Sequence, residues 1–311
     1  MGGLGGFLLR RACWIVITLW IVYTASFILM RSVPGGPFDS ERKLPAEIQK
    51  NIEARYKLDQ PLINQYFNHL GNILFAGDFG PSFRLTDFTV NEVIKQGFPV
   101  SASMGIFAIT FAFVLGTLSG IVSAIRRHTA WDVSFMTAAT LGIAVPNFVL
   151  ASLAIVLFVF TIPLFPAAGW GSLRQIILPA LCLGAPYAGY IARLTRTGML
   201  EVLGRDYIRT AYAKGLSERR VVTRHALRGA LLPVVSYLGP ATAGILTGSL
   251  VLEQIFALPG LGSHFVEAAL QRDYPLALGM VMVYTCLLLF MNTLVDLSYV
   301  MLDPRVKIET Q

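Results

Sequence analysis

The segment from Arg205 to Val234, "RDYIRTAYAKGLSERRVVTRHALRGALLPV", is basic and rich in small residues, although the chain around it is mostly apolar. Residues 193–228 carry nine Lys and Arg against three Asp and Glu. Apolar runs long enough to cross a membrane lie on both sides of it. The segment is therefore a membrane-flanked loop that acts on lipid, on nucleic acid or on another protein.

Local signals divide this loop into two helices. Asp206 is a favourable N-cap for a helix that begins at Tyr207. Gly215 ends this helix, because glycine readily takes the left-handed conformation common at helix C-termini. Ser217 caps a second helix that begins at Glu218, whose carboxylate suits the positive helix end. The second helix continues into the next apolar run.

One face of the first helix is predicted to carry small side chains, with charged residues at its edges. Ala211 and Gly215 lie four residues apart with Ala213 nearby, and Arg209 and Lys214 flank them. Small side chains allow a helix to sit in a groove of a protein partner, while the charges orient it. The alternatives are a helix–turn–helix in a DNA major groove and a basic loop on anionic lipid. Attachment to the membrane at both ends disfavours DNA binding.

The composition is that of a membrane protein. Of 311 residues, 55% are hydrophobic and 14% are charged, and the mean hydropathy is +0.62. Soluble domains carry about 25% charged residues. So low a charged fraction predicts several membrane spans.

Six stretches without Asp, Glu, Lys or Arg can form spanning helices, which need about 20 apolar residues. They are Ala12–Met30, Val100–Ile125, a run within Val133–Leu173, Gln175–Ala192, Gly229–Leu252 and Tyr274–Val295. The third helix is predicted to end near Phe160, and the fourth to extend to Arg193. The first is a retained span, because its apolar core is longer than the roughly 7–15 residues of a signal peptide.

Lys and Arg are distributed unevenly around these spans. Fifteen lie in four flanks: Arg10 and Arg11, Arg126 and Arg127, residues 193–228, and Arg305 and Lys307. The opposite short loops contain only Arg174 and Arg272, and the long segment Arg31–Lys95 carries eight basic and eight acidic residues. Because cytoplasmic loops are enriched in Lys and Arg, both termini are predicted to be cytoplasmic and residues 31–98 external.

The external segment is predicted to be folded. Pro45 and Pro61 suit the first turns of two helices. After Pro61 an apolar set repeats with helical period: Leu62, Ile63, Tyr66, Phe67, Leu70, Ile73 and Leu74. This face packs on the spans, lies on the membrane surface or docks an external partner. His69 is predicted to be a surface histidine rather than a metal ligand.

Motifs for nucleotide binding and for common hydrolytic chemistry are absent from the sequence. It contains no G-x-x-x-x-G-K-[ST], H-E-x-x-H or G-x-S-x-G. The middles of the six spans contain no ionisable side chain, since Glu253 and Asp296 lie at span ends. Ion-driven carriers usually keep such groups in mid-membrane. A stand-alone channel or secondary carrier is therefore disfavoured, and energy for uphill transport would enter through another subunit.

Two spans contain glycine pairs at GxxxG spacing, Gly116 with Gly120 and Gly244 with Gly248. Such pairs allow close helix packing or leave room for a passing solute. Pro240 can also kink the fifth span, because proline removes a helical hydrogen bond. Both interpretations of the glycines remain open at this point.

Several stretches together resemble one family. "DYIRTAYAKGLSERRVVTRHALRGALLPV" looks like the cytoplasmic loop of bacterial binding-protein-dependent ABC permeases, in the branch that handles oligopeptides, dipeptides and nickel. The stretches "LLRR", "ILMRSVPGGPF", "YKLDQPLINQYF", "GDFGPSF", "LEQIFALPGLG", "RDYP" and "DPR" extend the resemblance over nearly the whole chain. The chain is similar to B-type permease subunits of oligopeptide importers.

In this family the loop carries a degenerate EAA motif, and the resemblance places its glycine at Gly215. Arg209, Thr210 and Ala211 then stand at the E, A and A positions, of which only Ala211 agrees. The distance from Gly215 to Pro233 is also longer than in the general motif. The resemblance implies a coupling helix without fixing its individual contacts.

The resemblance implies an all-α type I ABC importer permease in which the 205–233 loop docks on an ATPase. The first 98 residues would hold one span and the external segment, and residues 99–311 a five-span core with the coupling loop 193–230. The implied coupling residues are Asp206, Arg209, Thr210, Ala211, Lys214, Gly215, Leu216 and Ser217. The implied translocation path includes Pro240, Gly244, Thr247, Gly248, Pro259 and Gly260.

The implied partners are a sister C-type permease, two ATPase subunits that bind ATP and Mg, an external binding protein and membrane lipid. The chain itself would perform no catalysis and bind no cofactor, metal or nucleic acid. The expected location is the bacterial inner membrane. The expected cargo is oligopeptides, with dipeptides, glutathione or nickel as alternatives.

Overall fold

The computed structural model describes residues 4–33, 58–85, 87–246 and 250–302, and most of them are helical. In chain order the helices are α1 (Leu4–Ser32), α2 (Leu62–Gly71), α3 (Val90–Ile125), α4 (Ala130–Ala144), α5 (Asn147–Ile155), α6 (Leu173–Leu203), α7 (Asp206–Ala213), α8 (Glu218–Arg220), α9 (Leu227–Ala230), α10 (Leu232–Leu246), α11 (Leu250–Ile255), α12 (Leu261–Gln271) and α13 (Tyr274–Leu302). Three π-helical segments extend or join them: Asn72–Ala76, Val156–Thr161 and Val221–Ala226. The fold class is therefore all-α, as predicted.

Four helices are long and apolar enough to cross a membrane: Leu9–Ser32 within α1, α3, α6, and Tyr274–Leu294 within α13. A fifth candidate is the pair formed by Ala130–Ala144 and Asn147–Thr161, which are bent by 110° relative to each other. In the region of the predicted fifth span, α10 has 15 residues, and residues 247–249 beyond it lie outside the described part. The structure supports four or five spans, and the sixth remains a prediction.

The predicted third span is not one straight helix. Pro146 is the N-cap of α5, and Val145 before it has an extended backbone with φ −84° and ψ 125°. A residue before proline avoids the helical region because the proline ring clashes with its backbone. The expectation of a single helix ending near Phe160 is wrong for this reason, although the segment does end at Thr161.

The fourth predicted span is longer than expected. Ser172 and Gln175 form a capping box at the start of α6, and the helix continues past Arg193 to Leu203. Its last turns are held by burial, because Thr195, Gly198, Met199 and Val202 all pack inside the protein. The loop therefore begins at Gly204 and not at Arg193.

Packing divides the chain into two compact units, Met1–Val100 with Pro259–Leu289, and Ser101–Leu258 with Phe290–Gln311. The division follows the contacts within the folded chain, so each unit combines segments that are far apart in sequence. The functional division between residues 98 and 99 stays a prediction.

In the first unit, α2 packs on α1 and α13. Tyr23 and Phe27 of α1 form a cluster with Leu278 and Met282 of α13. Tyr66 and Leu70 of α2 and Ile73 of the π-helical segment after it cover this cluster. The other members of the predicted apolar face remain exposed: Leu62, Ile63 and Phe67 on α2, and Leu74 on the π-helical segment. Part of the predicted apolar face therefore packs on α1 and α13, and the rest of it is exposed. Pro61 is its N-cap, whereas Pro45 lies outside the described residues.

His69 is half-buried and hydrogen-bonded on both ring nitrogens, so the expectation of an ordinary surface histidine is wrong. Its Nε2 lies 3.1 Å from the carbonyl oxygen of Phe79, and its Nδ1 lies 3.1 Å from the hydroxyl of Tyr23. A carbonyl only accepts hydrogen bonds, so Nε2 carries the proton. Burial holds the pKa of His69 below its usual value, which keeps the ring neutral.

In the second unit, α6 is the central helix and packs against α4, α5, α9 and α10. Helix α3 approaches it closely at two glycines. A Cβ at Gly116 would lie 2.7 Å from the carbonyl oxygen of Ala188, and one at Gly120 would lie 2.6 Å from that of Ala192. The pair Gly116 and Gly120 therefore allows close helix packing, and the alternative that it leaves room for a passing solute does not apply to this pair.

Candidate functional site

Helix α7 begins one residue earlier than predicted. Arg205 is the N-cap and Asp206 is the first helical residue, without a side-chain capping bond. The expectation that Asp206 is the N-cap is therefore wrong. Its carboxylate lies 3.4 Å from the guanidinium of Arg209, with both side chains exposed. A carboxylate in the first turn still favours the helix, because it faces the positive end of the helix dipole.

The end of α7 has the geometry predicted for Gly215, whose φ is +76°. The Gly215 N–H donates to the carbonyl of Tyr212 at 2.9 Å, and the Leu216 N–H donates to that of Ala211 at 3.4 Å. These two bonds form a Schellman motif. No atom lies within 4 Å of the position that a Cβ on Gly215 would take. Glycine is thus needed here for its backbone conformation and not for a close approach.

The inner face of α7 packs on the core of the second unit. Ile208 and Ala211 are buried together with Met199 and Val202 of α6 and with Val221 of the following π-helical segment. The expectation that Ala211 faces a partner is wrong. Its position one turn after Ile208 places it on the same inward face.

The outer face of α7 is polar and aromatic. Tyr207 is 46% exposed and Tyr212 is 44% exposed. Six of the predicted coupling residues are exposed: Asp206, Arg209, Thr210, Lys214, Gly215 and Ser217. Leu216 is half-buried. The two tyrosines were not among the predicted coupling residues, because Ala211 was expected to lie on the outer face of the helix.

The second helix of the loop starts where the sequence predicts. Ser217 is the N-cap of α8, although its side chain makes no capping hydrogen bond. Helical structure then continues through Val221–Ala226 and α9 to a turn at Leu231, before α10. Pro233 explains this interruption, because it has no N–H to donate to the carbonyl of Gly229.

An ion pair that sequence analysis did not identify joins α4 to the last turns of α6. The Arg196 Nε and Nη2 atoms donate to Asp132 at 2.8 and 2.9 Å. Asp132 is buried and also accepts hydrogen bonds from the Ser123 hydroxyl and from the His128 N–H. The pair connects the turn between α3 and α4 to the end of α6 that carries α7. The two residues are 64 positions apart, so no spacing rule links them.

The residues assigned to a translocation path fall in different parts of the chain. Pro240 and Gly244 occupy exposed positions one turn apart on α10. Thr247 and Gly248 lie outside the described residues. Pro259 is exposed and Gly260 is the buried N-cap of α12. Of this set, the structure brings only Pro240 and Gly244 together on one helix face.

Two further carboxylates are buried at ends of apolar helices. Glu253 in α11 is fully buried and accepts a hydrogen bond from the Ser101 hydroxyl at 2.7 Å. Asp273 before α13 accepts from the Ser82 hydroxyl and from the Arg84 N–H at 3.2 Å. Sequence analysis placed Glu253 just beyond a span and did not foresee its burial. Both carboxylates accept hydrogen bonds from neutral protein groups, which is the arrangement of structural buried carboxylates.

The family follows from residues 112–308, which match the description "Binding-protein-dependent transport system inner membrane component". This chain belongs to that family. The match includes α7, the residues that anchor it and the Asp132–Arg196 pair. The protein is therefore a permease subunit in the inner membrane, and this agrees with its apolar helices.

Curated relatives support a non-catalytic permease. The permease is 46% identical over 303 residues to the oligopeptide transport system permease protein OppB of Salmonella typhimurium, covering 97% of this chain and 99% of that protein. It is also 46% identical over 302 residues to the dipeptide transport system permease protein DppB of Bacillus subtilis, covering 97% and 98%. The resemblance to B-type oligopeptide permeases is confirmed.

A solved structure of the MetNI methionine ABC transporter, in inward-facing conformations, aligns with the permease at a TM-score of 0.53 and 18% identity. The alignment covers 68% of this chain and 97% of that chain. At this identity the likeness shows the fold alone, which is that of the membrane subunit of an ABC transporter.

Proposed function

We propose that this permease forms half of the translocation path of an ATP-driven importer of oligopeptides. In this proposal it has six spans and cytoplasmic termini. It assembles with a C-type sister permease, two ATPase subunits and an external binding protein. ATP and Mg are bound by the ATPase subunits, and the permease binds no cofactor, metal or nucleic acid.

The observation that carries this proposal is the two-faced construction of α7. Its inner residues Ile208 and Ala211 are fixed to the end of α6, and its outer face presents Tyr207, Tyr212 and basic side chains. Exposed aromatic residues and arginine are types enriched in protein interfaces. A helix held on one side and available on the other is suited to receive a force from a partner.

Two connections carry this force into the spans. Closure of the ATPase subunits presses on α7, and the packing of Ile208 against Met199 and Val202 displaces α6. The bidentate Arg196–Asp132 contact then transmits the displacement from α6 to α4. Interiors packed at close contact transmit strain because they have little compressibility. The spans thereby change from inward-facing to outward-facing.

Oligopeptides are the proposed cargo because the OppB relatives are named for their transport. Dipeptides are the second candidate, because the DppB protein of Bacillus subtilis is also 46% identical to this chain. Selection between them rests with the external binding protein, which presents the cargo to the permease.

Uptake by the reconstituted complex tests this function. Proteoliposomes with the permease, its sister subunit, the ATPases and the binding protein are expected to accumulate labelled oligopeptide only when ATP is supplied on the ATPase side. Vesicles without the ATPases are the control and are expected to show none. Equal accumulation in the control vesicles would show a channel or carrier and reject the proposal.

A further inference from the structure

Helix α6 presents an exposed arginine at the edge of its membrane span. Residues 173–192 of this helix rise about 30 Å, which is the thickness of the hydrocarbon core of a bilayer, and Arg193 follows them directly. Arg193 is exposed, whereas Ala192 and Thr195 beside it are buried. Ionisable side chains at such depths almost always face a water-filled cavity or the interior of a helix bundle, where they mark substrate or ion pathways. This principle places Arg193 beside an aqueous path along α6.

The guanidinium of Arg193 is oriented by a neutral group and carries no counter-charge. Its Nη2 donates to the hydroxyl of Thr140 on α4 at 2.8 Å, and that hydroxyl donates in turn to the carbonyl oxygen of Met136 at 2.7 Å. In the described part of the chain, no carboxylate forms an ion pair with Arg193, in contrast to Arg196 one turn further along α6. A guanidinium has several N–H donors, and the bond to Thr140 uses one of them. The complementary ligand is therefore an anionic group.

A pair of tyrosine rings lies beside this arginine. Tyr190 precedes Arg193 by three residues, so the two side chains are neighbours on the exposed face of α6. The ring centroid of Tyr190 lies 5.7 Å from that of Tyr237 on α10, and Tyr237 packs on the cluster that contains Ile191 and Val234. Tyr190 is 45% exposed, and its hydroxyl has no hydrogen-bond partner among the described residues. This hydroxyl can donate to a carbonyl or accept from an amide of a ligand.

The neighbouring face of α10 carries two of the residues assigned to the translocation path. Pro240 and Gly244 are exposed and follow Tyr237 by three and seven residues, so all three share one face of α10. A Cβ at Gly244 would lie 3.0 Å from the hydroxyl of Tyr187 on α6, so the two helices are close at this level as well. The exposed faces of α6 and α10 therefore form one continuous surface. This α6–α10 surface consists of Tyr190, Arg193, Tyr237, Pro240 and Gly244.

We propose that the α6–α10 surface binds the C-terminal end of a peptide in transit, with the terminal carboxylate on Arg193 and the last peptide group on the Tyr190 hydroxyl. The inference rests on the proposed function, because it takes peptides as the cargo. Charge selects this end of the cargo, since a linear peptide has a carboxylate at its C-terminus whatever its side chains are. The planar guanidinium can donate two parallel hydrogen bonds to that carboxylate. Such a site accepts peptides of many sequences.

A cycle of two permeases and two cargoes tests this site. Proteoliposomes of the complete complex, with wild-type permease or Arg193→Gln, receive labelled tetra-alanine with a free C-terminus or its C-terminal amide, at equal occupancy of the binding protein. The measurement is the ratio of the initial uptake rates of free acid and amide. Arg193→Gln is expected to lower this ratio about tenfold, as for the loss of one charge-assisted contact. Any preference of the binding protein cancels, because it is the same for both permeases.

Two further variants complete the measurement. Arg127→Gln, at an exposed arginine in the α3–α4 turn, is the matched control and is expected to keep the wild-type ratio. Arg193→Lys keeps the charge without the planar fork and is expected to give an intermediate ratio.

The outcomes separate this site from the proposed function. An equal loss of uptake for both cargoes in Arg193→Gln would reject the peptide site, and a simultaneous loss of the sister permease from the purified complex would assign Arg193 to the subunit interface. Wild-type uptake with an unchanged ratio in Arg193→Gln would also reject the site, while the proposed function stands. Wild-type vesicles that accumulate neither cargo with ATP would contradict the proposed function, and the site with it.

Discussion

At the scale of single residues, Ala211 is where α7 packs on the end of α6. It is 5% exposed and shares a buried cluster with Met199 and Val202. A methyl side chain suits a site at which two helical segments and a π-helical segment converge. Ala213 has the same side chain as Ala211 but lies on the exposed side of α7.

Ala211→Leu is expected to destabilise the coupling loop, because added methylenes in a packed site cost about 1–3 kcal/mol. The measurement is the thermal unfolding of the purified permease without its ATPase subunits, together with limited proteolysis of the loop, so that both sides of α7 are compared in the absence of the partner. Ala213→Leu adds the same side chain on the exposed side and is expected to leave the unfolding temperature unchanged. Equal effects of both substitutions would show that α7 is not anchored through Ala211.

The Asp132–Arg196 pair is the second residue-scale feature. Asp132→Asn is expected to cost about 2 kcal/mol, the magnitude of a charge-assisted hydrogen bond, because the Arg196 side chain is 25% exposed and regains water when its partner is neutral. The double variant Asp132→Arg with Arg196→Asp is not expected to restore stability, because an arginine cannot accept hydrogen bonds from Ser123 and the His128 N–H.

Thermal unfolding of the two variants and of Arg196→Lys measures this prediction. The lysine variant keeps the charge but loses the second hydrogen bond, so an intermediate value is expected. Full rescue by the exchanged pair would show that simple charge attraction, rather than the hydrogen-bonded geometry, holds α4 to α6.

At the scale of elements, the loop was predicted well because its signals are local. The glycine at the end of α7 and the N-cap position of Ser217 follow from the conformational preferences of those residues. The buried face of α7 could not be assigned from eight residues, because its partner helix α6 was thought to end at Arg193. The bend at Pro146 had a local signal, because the residue before a proline, here Val145, disfavours the helical conformation. The length of the apolar run nevertheless led to the prediction of one continuous helix.

Gly215→Ala tests the turn that ends α7. The left-handed conformation costs a residue with a Cβ about 1–2 kcal/mol, so the end of α7 should loosen. Because α7 is proposed to couple ATP hydrolysis to transport, the ratio of peptide imported to ATP hydrolysed is expected to fall.

Gly204→Ala is the matched control within the same loop. Gly204 has φ −78°, and its Cβ would meet its nearest neighbour at 3.5 Å, an ordinary contact. This variant is expected to keep the wild-type coupling ratio. A lower ratio for Gly204→Ala than for Gly215→Ala would contradict the role given to the Gly215 turn.

At the scale of the whole molecule, composition and apolar runs predicted a multispan helical protein, and the helices of the structure confirm this. The number of spans and the orientation were predicted from the apolar runs and from the distribution of Lys and Arg, and they stay predictions because both are defined relative to a membrane. The buried pairs Asp132–Arg196 and Ser101–Glu253 were not predictable, because each joins positions far apart in sequence.

Labelling with a membrane-impermeant maleimide tests the orientation. In a variant without the cysteines Cys13, Cys182 and Cys286, a cysteine replacing His128 or Ser217 is expected to react only from the cytoplasmic side. Ala167→Cys, between α5 and α6, is expected to react from the outside, because cytoplasmic loops hold the excess of Lys and Arg. The reverse pattern would invert the proposed topology.

The most direct test of the account is a cross-link between α7 and the ATPase subunit. In the same background without Cys13, Cys182 and Cys286, Thr210→Cys places a thiol on the exposed face of α7, and Ala167→Cys places one on the exposed loop between α5 and α6. With a short thiol-to-amine reagent in the assembled complex, Thr210→Cys is expected to give a covalent adduct with the ATPase subunit and to lose ATP-dependent peptide uptake. Ala167→Cys is expected to give no such adduct and to retain uptake. An adduct yield at Thr210 no higher than at Ala167, with transport intact, would contradict the claim that α7 receives the force of ATP hydrolysis.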